Sequence, residues 1–155
     1  MSKRIEAARS ANLFETGMGY VIVSRHKANG DGEAGVFLLD VWCLGVKNAF
    51  FTELAANELE NLHEELFAAA GKVPLTPACA RKLIEDAVAY ARGLGLSPHA
   101  DFRKAARVLG GIVAAECGET FTFGDPKTGK PLYIQGPNDS PAFAQQVMTS
   151  LSGPE

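Results

Sequence analysis

The hydrophobic pattern of this chain centres on its longest apolar stretch, VFLLDVWCLGVKNAFF from Val36 to Phe51, which holds the only Trp. Read as a strand, it sends Val36, Leu38, Asp40, Trp42 and Leu44 to one face and Phe37, Leu39, Val41 and Cys43 to the other. Both faces are apolar, so the pattern predicts a central strand covered on two sides, with Gly45 breaking it and Val46-Lys47-Asn48 as a short exit. Residues Gly19 to Arg25 are rich in β-formers and predict a strand. The turn chemistry from His26 to Gly35 (Asn29-Gly30, Asp31-Gly32) returns that strand to the central run as a hairpin. Thr120 to Phe123 alternates threonine with phenylalanine and, with Leu132 to Ile134, predicts a second hairpin.

Helical spacing appears elsewhere. Residues 2 to 14 suggest a short N-terminal helix stopped near Gly17. Leu59, Leu62 and Leu66 mark a helix from Thr52, its expected cap, to Ala70. Thr76-Pro77, Ser97-Pro98 and Ser140-Pro141 each place a hydroxyl at the N-cap and proline at the first helical position. They predict helices to Arg92, to about Leu109, and from Pro141 to Leu151, followed by a fraying tail over 152–155. The expected architecture is a single α+β domain over 1–155. It has an antiparallel sheet of about four strands in two hairpins and four to five helices mostly on one face.

A length of 155 residues with 46% hydrophobic content suits one such domain. The net charge of −3 argues against non-specific nucleic-acid binding. Cys43, Cys79 and Cys117 are far apart with no C-x-x-C pair, which predicts reduced thiols, no metal and a cytoplasmic protein. The first residues carry no leader-like apolar region, and no run reaches membrane-spanning length.

Candidate chemistry is sparse. Asp40 is a lone carboxylate in an apolar strand and must meet a cation or backbone donors, or else hold its proton. Lys47 and Asn48, at the strand's end, are candidate ligand-binding residues. His99 and Asp101 near a helix start could serve proton transfer or metal binding, but two residues apart on a helix they diverge by about 200°. Gly124 to Lys130 nearly matches a phosphate loop. Pro131 replaces the required hydroxyl, and a strand rather than a helix is expected to follow. No nucleophile elbow, zinc-protease helix or dinucleotide turn is present.

The segments GMGYVIVSR, DVWCLGVKNAF, CARKLIEDAVAYA, LGLSPHADFRKA and FTFGDPKTGKPLYIQGP together resemble a family of uncharacterised bacterial proteins, over Gly17 to Gln146. The resemblance implies no activity. It places Asp40, Cys43, Lys47, Cys79, His99 and Asp101 inside the recurrent segments.

Two functions fit. The first is a small intracellular binding module without cofactor, a homodimer or the partner of another protein, because a sheet with helices on one side leaves apolar surface to cover. The alternative is a hydrolase-type enzyme, with or without an assisting metal, in which Asp40, His99 and Asp101 converge and Lys47 binds an anionic substrate. Convergence or dispersal of those side chains separates the two.

Overall fold

The computed structural model describes residues 4–136 and 139–152. A five-stranded antiparallel sheet in the order β4-β3-β2-β1-β5 forms the centre. Its strands are β1 (Arg4–Ser10), β2 (Met18–His26), β3 (Gly32–Asp40), β4 (Gly45–Leu54) and β5 (Lys72–Leu75). The helices are α1 (Leu13–Thr16), α2 (Ala56–Phe67), α3 (Pro77–Gly93), α4 (Phe102–Ala105) and α5 (Pro141–Ser152), with 3-10 turns at Ala106–Leu109 and Ala114–Glu116. The α+β class and the antiparallel sheet are as expected from the sequence.

The two sheet faces have separate cores. Val21, Val23, Phe37 and Leu39 point to one face and pack with Leu83, Ile84, Ala87 and Val88 of α3, with Ala105, and with Val108 and Leu109 of the 3-10 turn. Their neighbours Ile22, Ala34 and Val36 point the other way, onto Leu59 and Phe67 of α2. Period-two alternation therefore explains why the central strands read as apolar throughout. Since α2 covers the second face, the uncovered-face argument for a dimer loses its basis.

Several element boundaries differ from the sequence reading. The run from Val36 is a tight hairpin, since β3 ends at Asp40 and residues 41–44 turn. Gly45 opens β4 rather than breaking a strand. Its φ is +71°, and a Cβ there would lie 2.7 Å from the Ala87 carbonyl oxygen, so glycine lets α3 lie against the strand. Lys47 and Asn48 are strand residues at a register shift opposite Leu38 and Leu39. Thr52 is also in β4, and α2 starts at Ala56, where Glu58 accepts the Ala55 N–H.

The expected N-terminal helix is β1 followed by the one-turn α1. Its Ala, Arg and Glu are good helix formers, but pairing with β2 on one side and β5 on the other overrides propensity. The Thr76-Pro77 and Ser140-Pro141 starts form as expected, with the hydroxyls accepting from Cys79 N and Phe143 N. Ser97-Pro98 starts no helix; α4 begins at Phe102. Residues 120–123 and 132–134 are not strands. Of the expected fraying tail, Ser152 closes α5, and 153–155 lie outside the described residues.

Candidate functional site

The expected site residues do not form one site. Asp40 is 4% exposed, and its Oδ1 accepts the N–H groups of Trp42 and Cys43, each at 3.0 Å. It thus holds the β3–β4 turn closed from within, the role that short acidic side chains play in turns. Burial pushes its carboxyl up to about 6 against the opposing pull of backbone donors and Lys47. Burial, and then the Asp40 charge, push the neighbouring Cys43 thiol up to about 12.

Lys47 Nζ lies 3.3 Å from Asp139 Oδ2, which also accepts the Tyr133 hydroxyl at 2.6 Å and the Gly136 N–H at 2.8 Å. Burial raises the Asp139 carboxyl, but these donors outweigh it and hold it below the ordinary range. Lys47 is therefore engaged in an internal pair. Asn48 turns its Oδ1 back onto the Ala49 N–H at 2.8 Å. The His99 N–H donates to the Val46 carbonyl, and its Nδ1 accepts the Asp101 N–H at 3.0 Å, while the Asp101 carboxylate is largely exposed. His99 and Lys47 share a cavity of about 240 Å³ with Leu96, Phe143 and Val147. Neither Asp40 nor Asp101 lines it. His99 Nδ1 and Asp101 Oδ2 do lie 3.9 Å apart, so two of the three acid–base candidates meet, while Asp40 is engaged separately in the β3–β4 turn.

A serine–histidine pair that the sequence reading passed over lies beneath α2. Ser24 Oγ is 3.1 Å from His63 Nε2, and Lys72 Nζ is 3.1 Å from His63 Nδ1. An ammonium can only donate, so Nδ1 accepts and Nε2 carries the ring proton toward Ser24. This is the wrong tautomer for a general base on that hydroxyl. Burial first, and then the Lys72 charge, lower the His63 pKa and keep the ring neutral. Ser24 is fully buried. Nearby, His26 Nε2 lies 3.1 Å from Glu6 Oε2, an ion-pair distance without hydrogen-bond alignment. Glu6, His26, His63 and Lys72 line a cavity of about 310 Å³ between β1 and α2, with the Ser24–His63 contact at its buried end.

The larger opening is a cleft of about 470 Å³ between the edge strand β5 and residues 119–126. One wall is Val73, Pro74 and Leu75. Pro74 suits an edge strand, where a missing N–H removes no ladder bond. The opposite wall is Thr120 to Gly124, an extended segment without a strand partner. Phe121 stacks on Phe14 with ring centroids 6.1 Å apart, and Phe123 stacks on Tyr90 at 5.4 Å. The threonine–phenylalanine alternation thus did report one partly buried and one exposed side, while the hydrogen-bond ladder it suggested is missing. Gly124 N–H to the Val41 carbonyl and Leu132 N–H to the Trp42 carbonyl pin this arm to the β3–β4 turn.

Arg9 lies at the cleft, its guanidinium 5.4 Å from the Phe14 ring centre and its Nη1 donating to the Ser10 and Ala11 carbonyls. Glu119 and Asp125 complete the polar lining. The near-match to a phosphate loop is the turn beside this cleft. The Asp125 carbonyl accepts the Gly129 N–H and its side chain accepts the Lys127 N–H, so the turn is closed on itself.

The arm is also fixed covalently. Cys79 and Cys117 form a disulfide across 38 residues, which corrects the expectation of three reduced thiols; Cys43 alone is free. The spacing argument failed because folding brings α3 and the arm together. The cytoplasmic reading loses that support. Among the described residues no helix is long and apolar enough to cross a membrane.

Compared with protein-family models, curated proteins and solved structures, the chain matches none. The bacterial-family resemblance therefore rests on its sequence segments alone.

Proposed function

We propose that the protein is a small-molecule binding module whose site is the cleft between β5 and residues 119–126. The observation that supports this is the pairing of a 470 Å³ opening with aromatic side chains and one cation, Arg9, at a covalently anchored wall. Binding sites are typically concave, mostly apolar and supplied with a few polar groups that orient the ligand. The ligand class that fits is a planar, largely apolar molecule with a carboxylate or similar acceptor directed at Arg9. A guanidinium offers more than one donor to such a group, and Nη1 alone is occupied by the carbonyls. The separation of Asp40 from the His99–Asp101 pair, and the exposure of the Asp101 carboxylate, speak for this reading over the hydrolase.

The test is a panel of planar aromatic carboxylates scored by thermal shift. Compounds that stabilise the wild type should lose at least about tenfold in affinity with Arg9→Ala, the scale of a lost charged hydrogen bond. Equal binding by the variant would reject the site.

For assembly we propose a homodimer through the outer edge of β4. At its start this edge is occupied by His99 and Asn48, but Phe50 beyond them is 41% exposed. Unpaired strand edges favour such pairing. Light scattering at high micromolar concentration that returned 16.5 kDa, the mass of one chain, would remove this reading.

A further inference from the structure

The cysteine pair has a third donor beside it. One carboxylate oxygen of Glu119 and the sulfurs of Cys79 and Cys117 all lie within 4.8 Å of one another. We infer that the reduced chain binds one thiophilic divalent cation of the zinc class through Cys79, Cys117 and Glu119, with the disulfide as the closed, metal-free form of the same site.

The surroundings of both sulfurs favour negative charge. Cys79 sits in the first turn of the 17-residue α3, where the helix dipole stabilises anions. The Glu119 N–H points at Cys117 Sγ at 3.4 Å, the kind of donor that supports a metal-bound thiolate. Zinc–sulfur bonds of about 2.3 Å in tetrahedral geometry place two thiolates about 3.7 Å apart. Opening the disulfide to that separation requires a modest shift. Cys117 can supply it, because it follows a three-residue 3-10 turn and has no strand ladder to hold it.

Glu119 is exposed and also lines the cleft. The metal therefore has an entry path, and its fourth position opens at the cleft rim, as in three-ligand zinc sites. Cys43 is no competitor, being fully buried within the β3–β4 turn. The chemistry balances. A dithiol reductant transfers two electrons and two protons, becoming a disulfide and leaving two thiols on the chain. The cation then displaces two protons to form two metal–thiolate bonds.

The experiment is cobalt(II) titration of the full chain after reduction and removal of the reductant without air, read by visible d–d absorption and sulfur-to-cobalt charge transfer. One equivalent should bind with tetrahedral, thiolate-ligated bands, and zinc should displace it. The oxidised chain should show neither band. Cys79→Ser should abolish the charge transfer, and Glu119→Gln, at an exposed position, should weaken binding at least about tenfold. A reduced chain that binds no cobalt overturns the inference, as does equal binding by the oxidised chain or undiminished binding by Glu119→Gln.

Discussion

Asp40 offers the sharpest quantitative test of how the β3–β4 hairpin is held. Its carboxyl rises from 3.8 to about 6 on folding, through burial. Between those values the folded chain holds a proton that the unfolded chain has released. The unfolded state then binds fewer protons, so stability falls as pH rises, the reverse of a salt-bridged carboxylate. The contribution is fully present below pH 3.8 and lost as pH rises through about 6. At 1.36 kcal/mol per pKa unit it amounts to about 3 kcal/mol. Asp40→Asn keeps an oxygen that can accept both turn N–H groups and cannot ionise. The unfolding free energy of the variant minus that of the wild type, from urea titrations, should therefore increase by about 2 kcal/mol from pH 4 to pH 8, the rest of the change falling below pH 4. Taking the difference cancels the titration of the other carboxylates. Asp40→Ala removes the acceptor, strands two N–H groups, and should cost about 3 kcal/mol at pH 5. Parallel pH curves for wild type and Asp40→Asn would refute the argument, because the carboxyl would then be titrating as it does in the unfolded chain.

Asp139 should behave in the opposite sense. Its folded pKa is lowered, so Asp139→Asn should cost about 2 kcal/mol at pH 7, with the gap between variant and wild type closing as pH falls through the acid range in urea titrations. Gly17 follows α1 at φ +84°, and a Cβ there would overlap the Trp42 indole. Gly17→Ala should lower the urea midpoint by an equivalent of about 3 kcal/mol, combining strained backbone with overpacking. Asp101→Ala removes an exposed side chain with no cap bond and should change thermal stability by less than about 0.5 kcal/mol.

How much of this was legible in the sequence depended on whether local rules decided the outcome. β2 and the starts of α3 and α5 follow from β-branched residues and from hydroxyl–proline caps, which act within a few residues. The apolar run from Val36 correctly announced two covered faces, but it hid the turn at 41–44. That turn has no glycine until Gly45, and a buried aspartate closes it instead. β1 was masked by helix-forming residues and β5 by its proline, since both depend on partners distant in the chain. The cleft was not legible, because Arg9, Leu75 and Phe121 meet only through tertiary structure. Neither was the Cys79–Cys117 contact. Asp139 carried no signal beyond its charge, although it gathers Lys47, Tyr133 and Gly136. The candidates that did stand out, Asp40 and Lys47, are polar groups in apolar sequence whose partners turn out to be internal.

The central claim, ligand binding at the β5 cleft, is tested most directly by amide chemical-shift mapping of the 15N-labelled chain with a stabilising aromatic carboxylate. The account predicts saturable shifts confined to Arg9, Phe14, Val73, Leu75 and Thr120 to Asp125, absent in Arg9→Ala. Shifts gathered instead around Lys47, Leu96 and His99 would contradict it.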